Sequence, residues 1–241
     1  MSRHSKWSKV KQFKGAIDAK RSASFTKLAR EIAVAAKEGG GGDPAMNARL
    51  RMAIDRAKKA SMPKDSIERA IVRGAGGGTE AQLESLMYEC YAPGGTALIV
   101  ECVTDNRNRT ANDVKHLLSK NGATLASTGS VTYLFDRKGT VRISGGLPSD
   151  RREETELTLI DAGADDIVEE ESDVVIRSAP SDLARVAEAV GKLGLPVDSA
   201  ELEWIPKTLV ETDETNGTAL EGLIDALEEL DDVQHVSTNA A

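Results

Sequence analysis

Apolar residues recur at three- and four-residue spacing through the first third of the chain and predict three amphipathic helices. The first extends from residue 22 to Gly39. The second begins at Asp43, whose side chain can cap it, with Pro44 as its first residue, and the third extends from Pro63 to Gly74. The positions predicted to be buried are Phe25, Leu28, Ala29, Ile32, Ala35, Ala36, Met46, Leu50, Ala53, Ile54, Ala57, Ile67, Ala70 and Ile71. This pattern predicts a small helical bundle.

Beyond residue 80 apolar and polar residues alternate, which is the spacing of β-strands. The run LESLMYECYAPGGTALIVECVTD predicts two strands that turn at residues 93–95. The elements predicted after it are a helix at 111–118, the strand SVTYLF at 130–135, the strand KTLVET at 207–212, a helix at 219–230 and the strand DVQHVS at 232–237. Together these elements predict a ferredoxin-like βαββαβ sheet with its helices on one face.

The segment between these elements repeats the same plan. Its predicted elements are a strand at 139–143, a helix at 153–161, a hairpin of strands at 166–171 and 173–178, a helix at 183–192 and a strand at 197–204. The predicted fold class is therefore α+β: a basic helical bundle followed by two ferredoxin-like α/β modules, the second inserted in the first. The predicted domains are residues 1–78, residues 79–138 with 206–241, and residues 139–205, with the first boundary in the glycine-rich GAGGGT at Gly74–Thr79.

Charge divides the chain as sharply as hydrophobic spacing does. Residues 1–80 contain 18 Lys and Arg against 8 Asp and Glu, a net charge of +10, so the formal net charge of -8 for the whole chain leaves -18 for residues 81–241. The inserted segment, 139–205, has 6 basic and 16 acidic residues. Such asymmetry indicates a basic module that binds a polyanion and an acidic remainder. The acidic surface is interpreted first as solvation and second as a docking surface for a basic partner.

The opening stretch RHSKWSKVKQFKGAIDAKR, residues 3–21, concentrates this positive charge. It contains seven Lys and Arg against one acid, Asp18, together with Trp7 and Phe13, although aromatic residues make up only 3% of the chain. Such a segment can order along phosphates, and aromatic side chains can stack on unpaired bases at about 1–3 kcal/mol each. The alternative for Trp7 is packing onto the helical bundle, and single lysines on a helix face often serve solubility alone.

The motif TDNRNRT, residues 104–110, lies where a predicted strand meets a predicted helix. Its Asn and Asp residues suit a tight turn and a helix cap, while Arg107 and Arg109 lie beside the positive end of the helix dipole. The motif is therefore a candidate anion site for a phosphate or carboxylate. The alternative is a capped turn whose arginines pair with the acidic surface.

The sequence contains no pattern that indicates a metal site, a disulfide, a catalytic site or a membrane span. Cys90 and Cys102 lack metal or disulfide spacing and are predicted to be buried thiols, and the three histidines lack metal-site spacing, so no metal and no cofactor are expected. No catalytic constellation or small-molecule substrate is identifiable, so the chain is predicted not to be an enzyme. Because no apolar run approaches the length of a membrane span and no signal peptide is evident, the protein is predicted to be soluble and cytoplasmic, without a membrane partner.

Long motifs in this chain resemble the YebC family, also called the PmpR or transcriptional regulatory family, which includes the mitochondrial translational activator of cytochrome oxidase. The motifs are HSKW, DAKR, FTKLAREI, GGGDPAMNARLRMAI, MPKDSIERAI, YAPGGTALIVECVTDNRNRT, GSVTYLF and NGTALEGLIDALEELDDVQHV. The resemblance covers essentially the whole chain. Arg3 departs from the usual glycine before HSKW, and Cys90 and Ala92 replace glycines of the usual strand.

The resemblance implies a three-domain cytoplasmic protein without known enzymatic activity, described in some members as a DNA-binding transcriptional regulator and in others as a ribosome-linked factor that helps translation through consecutive prolines. The nucleic-acid surface that it implies is His4, Lys6, Trp7, Lys9, Lys14, Lys20, Arg21, Lys27, Arg30, Arg49 and Arg51. The charge pattern adds Arg3, Lys11 and Arg56.

Two targets follow from these observations. Promoter DNA would make the protein a transcription factor, although no helix-turn-helix with an obvious base-reading helix is identifiable. Ribosomal or transfer RNA, including RNA on the ribosome itself, would make it a translation factor, which the stacking aromatic residues and the glycine-rich joints at Gly39–Gly42 and Gly74–Gly78 favour.

Overall fold

The structure is a computed structural model that describes residues 24–38, 41–77, 83–170 and 173–241. The described residues form three helices followed by two four-stranded sheets with their own helices, which confirms the predicted α+β fold class. The elements are α1 (24–38), α2 (Ala48–Lys59), α3 (Lys64–Gly74), β1 (Glu84–Ala92), β2 (Thr96–Thr104), α4 (Arg107–Lys120), β3 (Thr124–Leu125), β4 (Phe135–Ser144), α5 (Arg152–Asp161), β5 (Ala164–Glu170), β6 (Asp173–Ser178), α6 (Leu183–Lys192), β7 (Val197–Pro206), α7 (Glu214–Glu228) and β8 (Val233–Thr238).

The first three helices pack around an aliphatic core formed by the predicted apolar stripes. The buried members of this core are Ile32, Ala35, Ala36, Leu50, Ala53, Ile54, Ala57, Met62, Ile67 and Ala70. The helices approach each other closely at Gly74, where an added Cβ would lie 2.1 Å from the carbonyl oxygen of Ala33. Any side chain at position 74 would therefore push α3 away from α1.

The predicted start of the second helix is wrong by several residues. Asp43 accepts a hydrogen bond from the backbone N–H of Ala45 in a turn and does not cap α2. Asn47 caps it, because its Oδ1 accepts from the N–H of Leu50 at 3.0 Å while its Nδ2 donates to the carbonyl of Ala35 at 2.8 Å. Since the helix begins after this cap, Met46 lies in the preceding turn and is 86% exposed instead of buried.

The first sheet has the strand order β3-β1-β2-β8, and two of its predicted strands are absent from it. SVTYLF does not form a separate strand: residues 132–134 form a 3₁₀ turn, and Phe135 already belongs to β4. The short β3 at residues 124–125 pairs with β1 in its place. KTLVET contributes only an isolated bridge from Val210 to Ala240.

The second sheet has the order β5-β6-β4-β7, and each of its elements agrees with a predicted one in kind and place. The central strand β4 pairs antiparallel with β6 and with β7. Helices α5 and α6 connect the strands, so the module has the predicted βαββαβ order.

The described chain divides into two compact units. The first contains the described residues up to Leu86 with Cys102–Thr110 and Glu228–Gln234, and the second contains Met87–Glu101, Ala111–Leu227 and His235–Ala241. The three domains predicted from the sequence remain a prediction.

Candidate nucleic-acid interface

Many of the predicted nucleic-acid contacts belong to the opening stretch of the chain. These residues, Arg3, His4, Lys6, Trp7, Lys9, Lys11, Lys14, Lys20 and Arg21, lie outside the described residues. The remaining predicted contacts lie on α1 and α2.

The solvent face of α2 is strongly basic. The apolar residues of the helix face the core, so its charged residues lie on the opposite side, where the exposed ones are Arg49, Arg51, Lys58 and Lys59 against a single acid, Asp55. Lys58 pairs with Asp55 at 3.3 Å, and Arg49 pairs with Glu38. Arg51 has no ion pair with any described residue. Lys58 and Lys59 were not among the predicted contacts, although their spacing from the apolar positions places them on this face.

Arg56 lies at the edge of that face and points towards α1. Its guanidinium is 3.3 Å from the carboxylate of Glu31, and both side chains are about a quarter exposed, at 24% and 25%. This half-buried pair joins α2 to α1.

Two predicted contacts on α1, Lys27 and Arg30, are held by the chain itself. Lys27 Nζ donates to the carbonyl oxygen of Glu228 at 2.6 Å, and burial lowers the pKa of Lys27 although the charges of Glu228 and Asp231 oppose this effect. Arg30 pairs with Asp232 at 2.9 Å, its side chain is only 14% exposed, and it also donates to the carbonyl of Asp231. The charges of both side chains are therefore used in packing α1 against residues 228–232.

The TDNRNRT motif forms the beginning of α4. Asn106 Oδ1 accepts from the backbone N–H of Arg109 at 3.1 Å, and Asn106 N–H donates to the Thr104 hydroxyl at 2.9 Å. The guanidinium of Arg109 binds two carboxylates, those of Asp105 and Asp232, each at 2.9 Å. Arg107 is 70% exposed and lies 3.7 Å from Glu84. Both arginines therefore pair with carboxylates of the same chain.

Asp232 is the centre of this arrangement. Its buried carboxylate is shared by Arg30 and Arg109 and accepts hydrogen bonds from the hydroxyls of Thr110 at 2.7 Å and Thr104 at 3.2 Å. Burial acts to raise the pKa of Asp232, but the hydrogen bonds and the two guanidinium charges outweigh it and lower the pKa. The same contacts raise the pKa of Arg109. Asp232 therefore stays ionised and joins α1, the end of β2 and the start of α4.

The cysteines and the possible metal-ligating side chains of the described residues are not arranged as a second site. Cys90 and Cys102 are buried free thiols, as predicted, and burial with the nearby charge of Glu89 raises the pKa of Cys90 to about 12. Within the described residues, no three His, Cys, Asp or Glu side chains are grouped so as to hold a metal ion. None of the helices described here is long and apolar enough to span a bilayer.

The sequence and the fold both match known proteins along nearly their whole length. A family model described as "TACO1/YebC protein N-terminal domain" matches residues 5–77, and one described as "TACO1/YebC second and third domain" matches residues 83–240. Curated relatives include a "Probable transcriptional regulatory protein" of Persephonella marina, 46% identical over 99% of this chain and 95% of the relative. Another with the same description, from Dehalococcoides mccartyi, is 48% identical over 100% of this chain and 94% of the relative.

A solved structure agrees with these matches. The crystal structure of a conserved hypothetical protein from Aquifex aeolicus superimposes with a TM-score of 0.84 at 44% identity, covering 93% of this chain and 92% of the other. Sequence motifs, domain order and fold thus lead to one assignment: the chain belongs to the TACO1/YebC family.

Proposed function

We propose that this chain is a cytoplasmic, non-enzymatic regulator of gene expression that binds nucleic acid through its amino-terminal module. The observation that carries the proposal is the solvent face of α2, with four exposed cations against one exposed acid. Lys and Arg on such a face bind phosphates and release counterions from the nucleic acid. The names of the curated relatives, which describe transcriptional regulators, support the same role.

The distribution of charge favours binding of nucleic acid by the first part of the chain. Residues 1–80 have a net charge of +10 and residues 81–241 one of -18, so a phosphate polymer is attracted by the first region and repelled by the second. The opening stretch adds seven cations to those of α2. Because Lys27 and Arg30 are held by residues 228–232, the α2 face is the better candidate for phosphate contact within the described chain.

The charges of α3 favour contact with the backbone of the nucleic acid over reading of its bases. A turn at residues 60–63 joins α2 to α3 and has the length found in helix-turn-helix motifs. Within it, Ser61 has a φ of 61°. The exposed face of α3, however, carries Asp65 and Glu68 beside Lys64 and Arg69. A helix with this many acids is poorly suited to a groove lined by phosphates.

Reversing two cations of the α2 face is expected to weaken binding sharply. The double variant Arg51→Glu, Lys59→Glu should lose on the order of tenfold or more in affinity for a 30-base-pair duplex or a structured RNA at about 50 mM salt, and the slope of log K against log salt should fall by about 2. Fluorescence anisotropy over a salt series measures both quantities.

The matched control reverses two exposed lysines of α4, Lys115→Glu and Lys120→Glu. It changes the net charge equally but leaves α2 intact, so its affinity should stay close to that of the unaltered protein. Equal losses in the two variants would mean that only net charge matters, and the α2 face would then be excluded as the interface.

The identity of the target is tested by crosslinking in growing cells followed by sequencing of the attached nucleic acid. Promoter DNA is the target expected from the names of the relatives. Ribosomal or transfer RNA is the second candidate, favoured by the mixed charge of α3, because backbone contact without base reading suits structured RNA. Recovery mainly of RNA would assign the protein to translation, and recovery of neither would contradict nucleic-acid binding altogether.

A further inference from the structure

Helix α5 lies in the inserted acidic segment, residues 139–205, which we call the acidic module. It exposes two large aliphatic side chains on the side away from the core of this module. Leu159 is fully buried and Thr155 is 1% exposed, so these positions define the inner face of the helix. Leu157 and Ile160 are 63% and 55% exposed. Because residues three apart lie on the same face of a helix, these two side chains form one apolar spot.

A ring of carboxylates surrounds this apolar spot. Glu153 and Glu154 lie four and three residues before Leu157 and Asp161 lies four residues after it, so all three carboxylates neighbour Leu157 on the helix surface. All three are exposed, and none forms an ion pair with a described residue. The nearby cation Arg152 is already held by Glu156 and Glu169, each at 2.8 Å.

The apolar spot and the carboxylates around it together determine which kind of ligand can bind to this face. A single exposed aliphatic side chain is ordinary, but two adjacent ones opposite the core match the anchors of a helix that docks against another protein. The surrounding carboxylates repel nucleic acid and acidic proteins and attract lysine and arginine. The surface is therefore complementary to a segment that is both basic and apolar.

We propose that the α5 face is a docking surface for a basic amphipathic segment of a partner protein. Aliphatic side chains of the partner would pack on Leu157 and Ile160, while its lysines or arginines would pair with Glu153, Glu154 and Asp161. This interaction goes beyond the proposed nucleic-acid binding, since it uses a different module and the opposite charge. The acidic module thus recruits a protein while the basic module holds phosphate.

The test titrates the full-length chain, with isotope-labelled leucine and isoleucine methyl groups, with a synthetic helical peptide of leucine and lysine whose leucines lie on one face. We expect chemical-shift changes at the methyl groups of Leu157 and Ile160. None is expected at Leu209, which is similarly exposed, at 59%, but lies outside α5. A peptide of the same composition, scrambled so that its leucines are dispersed, should bind at least about tenfold more weakly.

Variants separate the two parts of the surface. Leu157→Ser with Ile160→Ser should lower affinity for the peptide at least about tenfold, because the anchors lose their apolar contact. Glu153→Gln, Glu154→Gln and Asp161→Asn together should remove most of the salt dependence. Leu209→Ser is the matched control and should leave affinity unchanged. All altered side chains are exposed, so the methyl spectrum elsewhere should remain that of the folded protein.

Several results would overturn the proposal. Equal binding of the ordered and scrambled peptides would reduce the interaction to charge alone. An equal loss in the α5 and Leu209 variants would remove the site. Sedimentation that shows a dimer of the unaltered chain, dissociated by the Leu157 and Ile160 substitutions, would assign the surface to a second copy instead of a partner. Loss of nucleic-acid binding in the α2 variants leaves each of these readouts unaffected.

Discussion

Replacing Asp232 with alanine is expected to lower the free energy of unfolding of the first compact unit by about 3–5 kcal/mol, the usual cost of removing one partner from a buried charge network. Arg30 would keep a side chain that is only 14% exposed but lose its carboxylate, and Arg109 would lose one of its two. The buried hydroxyls of Thr104 and Thr110 would lose the same acceptor. Urea titration with hydrogen exchange read at residues 102–110 measures the loss.

Asp231→Ala is the control for this variant. Asp231 is adjacent and exposed, and its contact with Arg30 is made by its backbone carbonyl. Removing its side chain therefore takes away only a charge near Lys27 and should cost much less than removing the Asp232 carboxylate. A loss of comparable size in the two variants would mean that the network does not depend on the Asp232 carboxylate.

The pH dependence of Asp232 has a defined direction. Its pKa is lowered in the folded state, so its stabilising contribution is complete above the ordinary pKa of aspartate, about 3.9, and disappears as the pH falls through the lower folded value. The difference in stability between the unaltered protein and Asp232→Ala should therefore be constant near neutral pH and begin to shrink below about pH 4.

Replacing Glu89 with glutamine is expected to cost the second unit about 2–3 kcal/mol, because hydrogen bonds to a buried charge are worth more than neutral ones. Glu89 is 3% exposed, and its carboxylate accepts from the backbone N–H groups of Gly129, Val131 and Thr132 at 2.6, 2.6 and 2.8 Å. Glutamine has the same shape, but its NH₂ group would face donors. Burial acts to raise the pKa of Glu89, and these backbone hydrogen bonds outweigh it and lower the pKa.

Native-state hydrogen exchange at residues 129–132 measures this loss directly. Glu211→Gln, at an exposed position of the same unit, provides the control. Exchange at residues 129–132 that does not change in the Glu89 variant would show that the loop is held by packing and not by the carboxylate.

Glu89 also explains why a strand was wrongly predicted at residues 130–135. SVTYLF has the composition of a strand, and alternation alone cannot show that its N–H groups are engaged elsewhere. The carboxylate binds the N–H groups of Val131 and Thr132, so these donors are unavailable to a strand ladder and the segment turns as a 3₁₀ helix. In the inserted module, by contrast, spacing predicted each element.

The candidate site could be predicted only in part, because local spacing shows which residues face solvent but not which distant residues they contact. The basic character of α2 follows from helical spacing, because residues opposite an apolar stripe face solvent. The contact of Arg30 and Arg109 with Asp232 spans 202 and 123 residues, and no local pattern relates positions so far apart. Lys27 and Arg30 are part of the basic total, but composition does not show that acids and carbonyls at residues 228–232 receive them.

The contact between α1 and residues 228–232 has a consequence for biosynthesis. Lys27 and Arg30 are each synthesised 201 residues before the carbonyls of Glu228 and Asp231 that receive them, so the nascent chain leaves these two cations without those partners until residues 228–232 have been made. A transcript truncated before codon 228 would therefore yield a product whose first helix never acquires its partners. Those two charges are therefore covered late in synthesis, once residues 228–232 can fold back onto α1.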